Sequence, residues 1–505
     1  MGRKKGVLLS FALMAFEILS ALLLTPFIIR SLGQAEYGVF KLVESVAAYL
    51  LLLDMGVGNA IVRYVAKYQA TGERDKEAQF FGVAQLFYLA VGLVAALCGG
   101  VLVWQFPTVF ASGLTPGEIR LGQILLGVVT FNAAFTLITA PYNYIIIGRG
   151  NFVVSRGASI LQIAIRILLT FAALFLGFGS IGIVVVNTVT GMLCRLGLGA
   201  YVFVKLRLRP RLSGANRGFV KEVVGYSVWI LLQMIATQVN AMAGQVMLGI
   251  LVPGAAAVIA IYGVGTQINQ YFQSFGSAFG GVLMPGVVNM VEQGATPRQL
   301  QDEMVRIGRI ILLFLGMILG GFVLYGRQFV VLWAGGDYAQ GYLVALLLMC
   351  VYVFILVESI GTQILWAKNE HKEQSILKIV IVGLNVLLTV FLIRWQPLMG
   401  VTVGTVLSLL LGAVLIMNIV FRRKIGICLT GYYKGLFRGI VPALGLSVLL
   451  CWPMRLLALP GWGGFVVNVA VYCVVCGGCC LLFGMNQSEK QMILKLLHKL
   501  GIGKR

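Results

Sequence analysis

Seven ionisable residues lie inside apolar stretches long enough to cross a bilayer: Glu17, Lys41, Glu44, Asp54, Arg166, Arg195 and Glu358. A charge in hydrocarbon is costly and normally faces a cavity or a bundle interior, so these residues are the first candidates for chemistry. Lys41 and Glu44 are three apart on one helix face, where they either neutralise each other or face a ligand together. Asp54 precedes Gly56, Gly58 and Asn59 and stands near Arg63, a spacing that fits a structural clasp. Glu17 has no opposite charge within four residues. That fits a cavity-facing carboxylate or a carboxyl held neutral in a core.

Amides form a second pattern. Gln233, Thr237, Asn240 and Gly244 are spaced as one stripe along a helix, and Gly263, Gln267, Gln270, Ser274 and Ser277 repeat the device. Stripes several turns long exceed what one interhelical hydrogen bond needs and read as the wall of a hydrated cavity. Pro26 and Pro285 fall on the same helices and are candidate hinges.

Other chemistries find little support. There are two histidines, at 371 and 498, both in polar segments, and nine cysteines. The run Cys473, Cys476, Cys479, Cys480 lies in a lipid-length stretch with no matching second set and reads as packing. No nucleotide-binding GxxxxGK[ST] loop is present, and the external acids Glu36, Glu118 and Asp337 stand on three separate loops. We therefore expect no enzyme, no cofactor and no metal site, and rank a membrane-embedded glycan-assembly enzyme last.

The elements that carry these residues follow from composition. Of 505 residues, 59% are apolar and 11% charged, with a mean hydropathy of +0.95, which excludes a soluble enzyme. At about 20 residues per crossing, the apolar runs predict roughly fourteen membrane helices, an all-α polytopic membrane protein. They fall near 7–30, 39–62, 80–104, 119–146, 152–177, 180–204, 222–250, 257–288, 304–326, 338–366, 375–395, 398–421, 436–457 and 461–484. The net charge of +22 is topological: one set of loops holds 31 Lys and Arg, the opposite set 5. Both termini are then cytosolic in a cell (plasma or inner) membrane, with the lipid bilayer as partner and no nucleic acid. A basic segment at 206–221 divides the chain, and Met492, Ile493, Leu496, Leu497 and Leu500 predict an amphipathic surface helix in the tail, 485–505.

The chain also echoes itself. Tyr37-Gly38-Val39 recurs as Tyr262-Gly263-Val264, and Ile147-Gly148-Arg149-Gly150-Asn151 is answered by Trp366-Ala367-Lys368-Asn369-Glu370 at a similar offset. Spans 1–6 (an N-lobe, 1–205) and 7–12 (a C-lobe, 222–421) are thus expected to be equivalent halves, with spans 13 and 14 (422–484) appended. Spans 1, 2, 7 and 8, equivalent by pairs, carry the polar lining.

Finally, Leu24-Thr25-Pro26 through Ile29-Arg30-Ser31-Leu32-Gly33-Gln34-Ala35-Glu36-Tyr37-Gly38, followed by Leu53-Asp54-Met55-Gly56-Val57-Gly58-Asn59 to Arg63-Tyr64, resembles the amino-terminal signature of polysaccharide-type lipid-linked oligosaccharide flippases. These belong to the multidrug/oligosaccharidyl-lipid/polysaccharide exporter superfamily. The resemblance implies two six-helix lobes around a central cavity, alternating access, and a polyprenyl-pyrophosphate-linked glycan as cargo moved from the cytosolic to the outer leaflet. A pyrophosphate needs cationic donors and a glycan needs amides, so the candidate binding residues are Glu17, Arg30, Lys41, Glu44, Arg63, Arg166, Gln233, Asn240, Gln267 and Gln270. If Glu44 neutralises Lys41, Arg30 and Arg63 at the two mouths become the better headgroup ligands. A coupling ion, H+ or Na+, would titrate Glu17 or Glu358. The rival reading on the same fold is an ion-coupled drug/cation antiporter.

Overall fold

The computed structural model describes the backbone of residues 2–54, 56–211, 217–368, 370–455, 461–487 and 489–491, and their side chains except at 2–12, 14, 15, 217–233, 278–285, 371–373 and 455. All regular structure among the described residues is helical: α1 (Gly2–Leu50), α2 (Val57–Thr71), α3 (Arg74–Val109), α4 (Pro116–Gly148), α5 (Phe152–Phe175), α6 (Gly179–Ala200), α7 (Arg217–Leu251), α8 (Ala256–Glu292) and α9 (Pro297–Ala334). There follow α10 (Gly341–Val357), α11 (Ser359–Ala367), α12 (His371–Leu392), α13 (Pro397–Leu409), α14 (Met417–Lys424), α15 (Leu429–Phe437), α16 (Ile440–Cys451) and α17 (Gly461–Cys479). Twelve described stretches are long and apolar enough to span a membrane, and one of them, Phe16–Thr71, has 56 residues, length for two crossings. The protein is an all-α polytopic membrane protein, as its hydropathy predicts.

Three elements differ from expectation. The runs at 7–30 and 39–62 are two helices that meet directly at a kink with no loop between them: Gly2–Leu50 is broken at Gly33, whose φ of 73° and ψ of 177° only glycine adopts freely, and the second run then breaks over Leu51–Asp54. The run at 338–366 is interrupted at Glu358. The thirteenth span is Leu429–Cys451 rather than 436–457, because Lys434 is exposed on α15 while Tyr432 turns inward. Most of the expected tail helix lies outside the described residues.

The chain forms two compact units, Met1–Ala260 and Ile261–Arg505. In the first, α1 packs on α4, α5 and α7, α3 on α4, and both α4 and α5 on α6. Its core includes Phe81, Tyr88, Ile61, Val65, Ile145 and Val202. Arg149, which follows α4, closes a two-toothed ion pair on Glu77 at the start of α3, with both contacts at 2.7 Å. Such a pair holds when buried because both charges are matched and hydrogen-bonded. In the second unit α9 is the hub against which α10, α15, α16 and α17 pack. Here Arg309 of α9, 2% exposed, reaches Glu489 at 2.6 Å and donates to the carbonyls of Gly435, Arg438 and Gly484.

The second sequence echo is matched in the backbone. Arg149 ends α4 at φ −80°, ψ 4° and Asn151 precedes α5 at −81°, 49°. Lys368 ends α11 at −82°, 4°, and Glu370 precedes α12 at −90°, 51°.

Candidate functional site

The signature segment is largely architecture. Glu36, which the sequence places among the external acids, accepts a hydrogen bond at 2.7 Å from the Ser180 amide at the start of α6, where helix-terminal N–H groups lack partners and favour an anion. Tyr37 is buried, and a side chain at Gly38 would overlap the Ala256 carbonyl. One helical turn beyond Lys41, Ser45 donates to Gln245 of α7 at 2.7 Å, a contact no spacing rule reveals.

Asp54 is held by two tyrosines, not clasped by Arg63, which is exposed. Tyr88 of α3 donates to it at 2.6 Å and Tyr144 of α4 at 3.2 Å. The glycines that follow have separate tasks. Gly56 takes a φ of 69° to restart the chain as α2, and Gly58 leaves the space that the Tyr144 ring occupies. External Glu118 is likewise engaged, forming a capping box with Thr115 at the start of α4.

Four of the candidate binding residues come together in the first unit. Lys41 and Glu44 pair at 2.8 Å, with the lysine side chain 16% and the glutamate 48% exposed. The Lys41 ammonium also lies 5.7 Å from the centre of the Tyr37 ring and 5.8 Å from that of Phe40. Arg166 of α5 is half-buried and within electrostatic reach of both Glu17 and Glu44. α1 and α5 thus carry two acids and two bases in one intramembrane cluster. Arg30 is exposed near the Gly33 kink.

The amide stripes are present as helix faces. On α7, Asn240 is half-buried and Thr237 exposed, while the Gln233 side chain lies outside the described residues. On α8, in the second unit, the stripe runs from buried Gly263 to exposed Gln270 and Ser277. Gln267 donates to the Tyr271 hydroxyl at 2.9 Å. Pro26 sits inside α1, whose one non-helical residue is Gly33; the Pro285 side chain lies outside the described residues.

Two features go beyond the sequence reading: the partners of Glu358, and the polar residues that accompany Arg166 and Arg195. Glu358 stands at the break between α10 and α11 and accepts from Asn418, at 3.0 Å, and from Tyr433. Its other carboxyl oxygen is buried with no partner among the described residues. On α5 and α6, Gln162, Asn187 and Arg195 share spacings of four with Arg166 and Gly191; that periodicity is the signal that finds them. The nine cysteines are free thiols.

Comparison with known proteins places this architecture. The family described as polysaccharide biosynthesis protein matches residues 3–291. An uncharacterized membrane protein of Bacillus subtilis (strain 168), EpsK, is 22% identical over 502 residues, covering 94% of each chain. Among solved structures, the lipid II flippase MurJ in an inward closed conformation superposes with a TM-score of 0.70 at 11% identity, covering 94% of this chain and 98% of that one. An inward-facing multidrug-resistance MATE family transporter of the MOP superfamily gives 0.66 at 15% identity, covering 81% of this chain and 94% of that one. The fold is shared with flippases and exporters.

Proposed function

The chain belongs to the polysaccharide biosynthesis protein family, and we propose that it is a flippase carrying a polyprenyl-pyrophosphate-linked oligosaccharide from the cytosolic to the outer leaflet of the cell membrane by alternating access. The observation that carries this reading is the intramembrane cluster of Glu17, Lys41, Glu44 and Arg166. Charges at this depth face a bundle interior or a polar cavity or pair with one another, and the half-exposed Glu44 and exposed Glu17 favour the cavity. Amides at Asn240, Gln267 and Gln270, with Gln233 expected among them, match glycan hydroxyls, and Arg30 and Arg63 are exposed cations suited to a headgroup at the mouths.

In this reading spans 1–6 and 7–12 are equivalent halves, 1–205 and 222–421, joined by the basic linker 206–221 and followed by spans 13 and 14. The shared backbone geometry at Arg149 and Lys368 supports the equivalence, and the asymmetry of basic loops supports cytosolic termini. The protein acts as a transporter and not an enzyme, and a proton or sodium gradient supplies the driving force. An antiporter for cationic drugs would draw on Glu17 and Glu44, but Arg166 beside them opposes a cationic ligand.

The test is mass spectrometry of polyprenyl-linked glycans in cells lacking the protein. One lipid-linked oligosaccharide should accumulate and identify the cargo. Glu17→Gln, or Gln267→Ala with Gln270→Ala, should reproduce the accumulation at normal membrane level. An unchanged lipid pool, with new sensitivity to cationic drugs, would transfer the assignment to the antiporter.

A further inference from the structure

The α5–α6 pair of the first unit carries a set of polar side chains that meets the cluster on α1 only at Arg166. Two contacts fix the register of the pair. The Cys194 thiol of α6 meets the Ala158 carbonyl of α5 at 3.7 Å. One turn further, a methyl group placed on Gly191 would lie 3.6 Å from the Gln162 amide nitrogen and 3.7 Å from the Asn132 amide oxygen of α4. Continuing by one more turn brings Asn187 level with Arg166, since residues four apart share a helix face. At the other end Arg195 stands level with Ala158. Two facing stripes result, with a guanidinium at each end and amides between.

Neither guanidinium is closed on a protein carboxylate: among the described residues neither Arg166 nor Arg195 belongs to a salt bridge, whereas Lys41 is closed on Glu44. Arg166 lies within electrostatic reach of Glu17 and Glu44, which leaves Arg195 as the guanidinium with no carboxylate assigned to it. Both arginines are half-buried. A guanidinium offers a planar fork that fits phosphate oxygens, and a cation drawn partly out of water costs free energy until an anion arrives.

We infer that this face is the headgroup subsite: Arg195 takes the diphosphate, and Gln162, Asn132, Asn187 and Arg166 take the first sugars. Arg195 and Asn187 are eight residues apart, about 12 Å along the helix axis, room for a diphosphate and an attached hexose. Lys41 then belongs to a neutral pair that shapes the wall and does not hold phosphate. The inference rests on the cargo reading above.

The test is a binding titration of the purified full chain with farnesyl diphosphate, and with farnesol as the uncharged control. Wild type should bind the diphosphate, Arg195→Gln should weaken binding about tenfold or more, Arg195→Lys should recover part of it, and farnesol binding should not change. Arg120→Gln, an exposed cation at the far end of α4, should match wild type. Each variant is first checked for a monodisperse profile; should Arg195→Gln fail it, Arg195→Lys carries the test, with binding below that of wild type. Diphosphate binding that survives the Arg195 substitution unchanged, or that Lys41→Gln alone removes, overturns the subsite while leaving the cargo reading standing. Wild type that does not bind farnesyl diphosphate overturns both.

Discussion

Asp54 and Glu358 are the two carboxylates at which a membrane helix breaks, and the breaks are built differently. At Asp54 the backbone does the work: a short three-ten turn, then Gly56 at a φ of 69°, then Gly58 opening room for an aromatic ring. The tyrosine hydroxyls fasten a bend that the glycines already make. At Glu358 the backbone stays in the ordinary helical region, φ −83° and ψ −1°, with no glycine beside it. Its bend depends on a carboxyl, 2% exposed, latched by Asn418 and Tyr433 from later parts of the chain. One break is local and the other is tertiary, so they should respond to substitution in different ways.

The largest effect is expected at Gly58. A leucine there enters the Tyr144 ring, an overpacking cost of about 3 kcal/mol or more, read as a collapse of the thermal unfolding midpoint in detergent; a midpoint near wild type would show that the ring is free to move. Asp54→Ala comes next, leaving two tyrosine hydroxyls without their acceptor at a cost of about 3 kcal/mol. Asp54→Asn keeps one oxygen and should cost about 1 kcal/mol. If Asn proved as damaging as Ala, the charge itself would be the fastening. Glu358→Ala should cost about 2 kcal/mol and, unlike any change at Asp54, should let α10 and α11 run together. Amide exchange would report this as added protection over residues 355–362, and unchanged exchange there would erase the distinction between the breaks. Tyr433→Phe removes one of two donors to Glu358 and should cost about 1 kcal/mol with exchange nearly as in wild type.

The same contrast explains what was legible in the sequence. Apolar runs place α3, α4, α5, α6 and α17 within a few residues, because crossing length and composition depend only on the segment itself. The breaks at Asp54 and Glu358 escape because each is a single charge in an apolar window, and hydropathy registers its cost but not its partners. The sequence shows glycines after Asp54 and fits a clasp with Arg63. The tyrosines that hold the carboxylate lie on α3 and α4, beyond any local spacing. For the same reason Arg63, next in sequence, seemed the natural partner and is not. In the candidate site, the pairing of Lys41 with Glu44 was readable from a spacing of three, whereas the approach of Arg166 to Glu17 required α5 to fold against α1. The stripes of α5 and α6 were periodic in plain view. Each stripe holds only two polar side chains, Gln162 and Arg166 on α5 and Asn187 and Arg195 on α6, and they acquire meaning once Cys194 and Gly191 fix the register.

The most direct measurement is transbilayer movement of a diphosphate-linked oligosaccharide in proteoliposomes, followed by its exposure at the outer face under imposed proton and sodium gradients. Wild type should move the lipid well above the protein-free rate, and Glu17→Gln and Arg195→Gln should fall to that rate while remaining reconstituted. Movement by wild type no faster than in empty liposomes under either gradient would contradict the account.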